Sequence, residues 1–151
     1  GLIHENDVKA LKGWRELIDR EFKTDLALKS KASASSYRGN VTNYAASNVT
    51  DGDKNTYWTT NDDVMTGSVE VDLGKTQMVK YITLKEHIQL GQRVKAFTVE
   101  AWQNGQWQKI AQATTIGYKR ILKINPLETN KIRVNITSAK ASPVISAVEV
   151  Y

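Results

Sequence analysis

Oxygen-bearing side chains crowd one short stretch of the chain, where Asp51, Asp53 and Thr56 surround the hinge Gly52 in Asp51-Gly52-Asp53-Lys54-Asn55-Thr56. Hard oxygen donors on a glycine-hinged loop are the ligand type that calcium prefers, with backbone carbonyls completing six to eight ligands. The same residues also form, without any metal, a turn held by Asx hydrogen bonds, and both readings stay open. A second group brackets two further segments: Glu86, His87, Gln92 and Arg93 in one, Tyr118, Lys119 and Arg120 in the other. Guanidinium and imidazole donors beside an aromatic face suit the hydroxyls and apolar ring face of a sugar, and Tyr37, on an earlier loop, offers another ring. Those residues serve equally well to dock the domain on a neighbour or to pin its own loops.

Catalytic chemistry has little to work with here. The chain has no cysteine, which excludes a disulfide framework, a thiolate metal site and a cysteine nucleophile. His4 and His87 are its two histidines and lie far apart in sequence, which argues against zinc. Asp62-Asp63 sits in a polar stretch with no shielding pocket in prospect, so it reads as solvated rather than as an acid/base pair. Nucleophile-elbow, P-loop and dinucleotide fingerprints are missing from the sequence. Formal net charge is +5, but the basic residues are scattered, with Lys119-Arg120 the longest basic run. A solvated basic surface fits that pattern better than a nucleic-acid groove. No segment approaches the roughly 18 apolar residues of a membrane span, and Gly1-Leu2-Ile3-His4-Glu5-Asn6 is no signal peptide but reads as the start of an excised piece.

The elements that must hold these groups fall into two parts. From Asn6 to Phe22, Val8, Leu11, Trp14, Ile18 and Phe22 recur every three or four residues, with Asn6 or Asp7 as cap, which predicts an amphipathic helix. Gly13 inside it costs about 1 kcal/mol against alanine, so the helix needs tertiary packing. After Leu28 the period drops to two: Val69, Val71 and Leu73 alternate with charged residues, as do Phe97, Val99 and Ala101, then Ile132, Val134 and Ile136, then Val144, Ser146, Val148 and Val150. Further strands are predicted over 79–85, 107–111 and 121–124. Asn104-Gly105 supplies the two positive-φ positions of a type I′ hairpin turn. Strands arriving this often with no helix between them predict an all-β antiparallel sandwich. Trp58 and Trp107, each beside a strand pattern, are expected in the core, whereas Trp102 is left open.

The run Asn48-Val49-Thr50-Asp51-Gly52-Asp53-Lys54-Asn55-Thr56-Tyr57-Trp58 resembles the N-x-x-D-G-D-x-x-T-x-W signature of the factor V/VIII type C, or discoidin, superfamily, which includes family 32 carbohydrate-binding modules. The resemblance covers about residues 30 to 151 and implies an eight-stranded jelly-roll with a galactose-binding-domain-like shape. Glu86 to Val94, Gly105-Gln106-Trp107 and Thr115 to Arg120 are similar to the C-terminal region of family 29 glycoside hydrolases, the α-L-fucosidases, and Leu2 to Ala27 to the helix that ends their catalytic part. This second resemblance implies a helical segment (1–28) trailing from a catalytic domain not on this chain, and a sandwich (29–151) that is a non-catalytic accessory module. Its partner would be a glycan or its parent's catalytic domain, with docking or bracing ahead because the loops match fucosidases more closely than sugar-binding modules generally. The alternative is a free-standing lectin-like or phospholipid-binding domain; Met65 and Leu90 are the sole apolar candidates for membrane contact. A glycan-degrading parent implies a periplasmic, cell-surface or secreted location, and the chain is expected to be a monomer.

The superfamily resemblance also implies a structural cation held by Asp51 and Thr56 side chains, Asn48 and Asp53 carbonyls, and a carboxylate from the last strand. Ala147 stands where that carboxylate is expected. Glu149 follows about 6.6 Å further along the same face, so calcium is expected to bind weakly or not at all.

Overall fold

The computed structural model describes residues 5–151, with side chains described from Lys12 onward. Helix α1 (Glu5–Glu21) occupies the predicted position. His4 lies outside the described residues, as do the side chains of Asn6, Asp7, Val8 and Leu11. The rest of the apolar stripe faces solvent: Trp14 is 62% exposed, and Leu17 and Ile18 are exposed with it. The segment after the helix engages the β domain. Phe22 packs its ring 4.6 Å from Tyr81 and 5.0 Å from Tyr151. Leu26 N–H donates to the Val150 carbonyl (2.7 Å), while Asp25 Oδ1 accepts from Val150 and Ala27 N–H, each at 2.9 Å.

Among the described residues seven strands follow: β1 (Lys31–Ala34), β2 (Trp58–Thr59), β3 (Gly67–Glu86), β4 (Val94–Gln103), β5 (Gln106–Ala113), β6 (Arg120–Ala139) and β7 (Val144–Val150). All pairings are antiparallel, which explains why a period of two persists along them. The expected eight-stranded sandwich is built from fewer continuous strands because β3 and β6, 20 residues each, cross from one layer to the other. Their pairing shifts register between Asp72 and Gln77 and again between Val79 and Tyr81, and such irregularities bend strands. One layer holds β1, the first part of β3, the second part of β6, β4 and β5; the other holds β2, β7, the second part of β3 and the first part of β6.

Val69, Val71, Phe97, Val99, Ile132 and Val134 from the first layer meet Ile82, Leu84, Val148 and Val150 from the second, all buried. Trp58 is completely buried, as its strand pattern predicts, and its Nε1–H donates to the Ser36 carbonyl at 2.9 Å. Gly67 opens β3 because a Cβ there would come within 3.1 Å of the Trp58 ring. Trp107 departs from expectation. It pairs with Trp102, whose neighbour Ala101 points inward, so period two turns both indoles to the outer face. There the rings meet edge-on at 5.3 Å, and the Arg133 guanidinium covers Trp107 at 4.4 Å.

Candidate functional site

Glu86 closes β3 at one end of the sandwich and is only 3% exposed. Its Oε1 accepts from the N–H groups of Arg93 (2.8 Å) and Val94 (2.9 Å), and its Oε2 from Gly117 N–H (2.7 Å). Three charge-assisted bonds on one buried carboxylate clip both flanking loops to the strand, and they leave it no room to meet an outside ligand. Gly117 adopts φ +69, which suits a residue without Cβ.

Arg93 also turns inward: its Nη1 donates to the Ser142 carbonyl (2.9 Å) and hydroxyl (3.2 Å). Arg38 reaches that hydroxyl from another loop (3.0 Å) and donates its Nε–H to the Thr60 carbonyl. Beside them the rings of Tyr44, Tyr57 and His87 form a row, with centroids 5.8 Å and 4.7 Å apart. Arg38 lies over Tyr44 and pairs with the exposed Asp62 at 2.7 Å. His87 Nδ1 is buried with no hydrogen-bond partner among the described residues. Sequence reasoning missed Arg38, Tyr44, Tyr57 and Ser142. Arg38 and Tyr44 sit on short 3-10 turns (Arg38–Asn40, Thr42–Tyr44), which carry no periodic signal.

The other expected residues scatter. Tyr37 is half-buried against the core, Arg120 donates to the Thr115 carbonyl within its own loop at 3.3 Å, and Gln92 and Lys119 face solvent. Tyr118, 76% exposed, shares a shallow depression with Glu86, His87, Ile88 and Lys54.

The aspartate loop provides a test of the cation expectation. Thr56 Oγ1 lies 2.5 Å from Asp51 Oδ2, 3.1 Å from the Asp53 carbonyl and 3.4 Å from the Asn48 carbonyl, so the four expected oxygens do converge. The closing strand adds none. Ala147 lines the adjoining cavity with Lys54 and Lys85, and Glu149 is taken up by Lys85 Nζ at 2.9 Å and the Tyr151 hydroxyl at 2.5 Å. Asp51 Oδ1 and Asp53 Oδ1 cap the turn by accepting from Asp53 and Asn55 N–H. Four oxygens with a single carboxylate among them fall short of calcium's six to eight ligands, and the other carboxylates lining the adjoining cavity are engaged elsewhere: Glu149 by Lys85, Asp25 by the Ala27 and Val150 N–H groups, and Asp53 by the Asn55 N–H. The donor set therefore does not fit.

Two groups beside Glu149 are shifted by burial. Burial raises the Asp25 carboxyl above its usual value against the two N–H bonds that it accepts, and the nearby Glu149 charge adds to the rise. Burial likewise pushes the Tyr151 hydroxyl upward, helped by its bond to Glu149.

Residues 31–150 match the family model described as F5/8 type C domain. A protein of Oryza sativa subsp. japonica named as an α-L-fucosidase is 34% identical over 153 residues, spanning all of this chain and 30% of its own length. The chain spans less than a third of the curated relatives it matches. Among solved structures it is similar to SpGH29, with a TM-score of 0.92 and 32% identity over 100% of this chain and 33% of that one. Chitosan-binding module 2 from a chitosanase/glucanase of Paenibacillus sp. IK-5, solved with chitotriose, gives a TM-score of 0.75 at 18% identity, covering 84% of this chain and 99% of that one; this likeness shows the fold alone.

Proposed function

Because the chain belongs to the F5/8 type C, or discoidin-type, domain family, we propose that it is the non-catalytic accessory module of a fucosidase-like glycoside hydrolase, docking on the catalytic domain. One observation carries this reading: α1 turns Trp14, Leu17 and Ile18 to solvent although Phe22, one turn later, is packed on Tyr81 and Tyr151. Ile121 is exposed on the outer side of the layer that receives Phe22, because its neighbour Leu122 points into the core. An apolar row of this kind marks an interaction surface. Relatives more than three times the chain's length supply the domain to cover it.

The test is to replace Trp14, Leu17 and Ile18 by serine in this chain and in a protein that also carries a fucosidase-like catalytic domain upstream. The isolated chain should keep its melting temperature, whereas the longer protein should lose several degrees. Equal behaviour of both would refute docking through α1.

Binding of a glycan at the loop end is a second reading, favoured by the Tyr44, Tyr57 and His87 row beside Arg38. Binding on a glycan array that disappears with Tyr57→Ala supports it, and a blank array removes it.

A further inference from the structure

Three stretches of chain meet beside the aspartate loop. The segment that follows α1 lies against the loop: Lys29 N–H donates to the Thr50 carbonyl at 2.6 Å, the Thr50 hydroxyl donates to the Ser30 carbonyl at 2.8 Å, and a Cβ on Gly52 would come within 3.0 Å of Leu28. The same segment joins β7 through Asp25, which accepts from Val150 N–H. Between loop, segment and β7 remains a cavity of about 100 Å³, lined by the acidic residues Asp25, Asp53 and Glu149 and by Lys54 and Lys85. That is well below the roughly 300–1,000 Å³ of small-molecule sites, so the space is a seam rather than a ligand pocket. Three acidic residues around a seam this small repel one another unless positive charge stands among them.

The register of β3 and β7 decides where that charge comes from. Ile82, Leu84, Val148 and Val150 point into the core, so Lys85, Ala147 and Glu149 share the outer face. Lys85 stands directly opposite Ala147, and Glu149 opposite Thr83, which makes Lys85 and Glu149 diagonal neighbours within reach of a long side chain. A methyl group at 147 leaves that diagonal clear. Lys85 Nζ crosses it to within 2.9 Å of Glu149 Oε2, while Glu149 Oε1 accepts from the Tyr151 hydroxyl. The two side chains are only 34% and 17% exposed, so water screens this pair less than it screens Asp53 and Lys54 on the exposed loop. Burial raises the Asp25 carboxyl, and Lys85 is the nearby cation that opposes the rise. A second ammonium serves the loop itself, where Lys29 Nζ donates to the Asp51 carbonyl at 2.7 Å.

We infer that the Lys85 ammonium does the work of a structural cation in this module, offsetting Glu149 by contact and Asp25 by its field, and so holding the seam closed without a metal. Residues 85 and 147 then act as a matched pair: one supplies the cation, and the other, by being alanine, gives it passage and withholds a metal ligand. An ammonium suits the donor set better than calcium does, since it carries one charge and three N–H donors and does not require six to eight oxygens. The inference concerns the seam alone, so it holds or fails independently of docking through α1.

The experiment exchanges one kind of cation for the other in the full chain. Lys85→Met keeps an unbranched stem without the charge and should lower the melting temperature by about 3–6 °C, whereas Lys85→Arg, which keeps the charge, should stay within about 2 °C of the parent. The double variant Lys85→Met/Ala147→Glu removes the ammonium and sets a carboxylate on the cavity wall that Asp53 also lines. Millimolar calcium chloride should raise its melting temperature by at least about 4 °C, EDTA should reverse the gain, and sodium chloride of equal ionic strength should not reproduce it. Where the double variant is unfolded without metal, calcium should restore the far-ultraviolet circular dichroism of the parent. An unchanged melting temperature in Lys85→Met would overturn the inference, because the charge would then hold nothing together. Equal losses in Lys85→Met and Lys85→Arg would overturn it as well, by assigning the effect to the packing of the stem, and so would a double variant indifferent to calcium.

Discussion

The loop end and the leading helix invert the usual distribution of polarity. At the loop end a carboxylate, Glu86, is buried with both of its oxygens accepting from backbone N–H groups, three in all; on α1 a tryptophan, Trp14, is 62% exposed. A buried charge survives only when its bonds are complete, so Glu86 belongs to the scaffold and is finished. An exposed apolar row gains by being covered, which is the ground for the proposal that α1 docks on a neighbouring domain. Residue type alone points the opposite way, with the charge as the binding group and the indole as core.

That contrast can be broken at several points. The largest effect is expected at Glu86: Glu86→Ala leaves three buried N–H donors unpaired and should cost about 3 kcal/mol or more in urea unfolding, with Glu86→Gln milder because one oxygen remains. A loss below about 1 kcal/mol would mean that water replaces the carboxylate and that the site is open. Phe22→Ala removes the ring that holds α1 on Tyr81 and Tyr151 and should cost about 1–2 kcal/mol, read by the same titration.

Acid pH probes the junction between the two regions. The Asp25 carboxyl is raised in the fold, so between its ordinary value of 3.8 and its higher folded value the native state binds more protons than the unfolded one. This group's contribution to stability therefore falls as pH rises through that window, and Asp25→Asn, which retains an oxygen for the Val150 and Ala27 N–H groups, should flatten that component of a pH series of unfolding curves. An unaltered slope would show that Asp25 is solvated. The smallest effect expected is that of calcium. With Glu149 claimed by Lys85, adding calcium or EDTA should move the melting temperature by less than about 1 °C; a rise of many degrees on calcium would show that another ligand completes the aspartate loop.

Much of the fold was legible because alternation is a local signal. Val69, Val71 and Leu73 declared their strand, Asn104-Gly105 its hairpin, and the aspartate signature its loop. The outward turn of Trp107 was not legible, since it depends on pairing with Trp102 rather than on its own neighbours. Glu86 and Arg93 were picked out as special residues from sequence, yet their inward direction is set by Gly117, 31 residues from Glu86, and by Ser142, 49 from Arg93. The convergence of Arg38, Tyr44 and Tyr57 is likewise a product of irregular loops meeting in space.

Hydrogen exchange of the isolated chain tests the central claim, that α1 is an interface awaiting its partner, most directly. Amides from Trp14 to Arg20 should exchange orders of magnitude faster than those from Phe97 to Ala101, the centre of β4, because Trp14, Leu17 and Ile18 are exposed whereas Phe97, Val99 and Ala101 are buried. Protection of α1 equal to that of β4 would contradict the account, since the helix would then be part of the sandwich's own cooperative core.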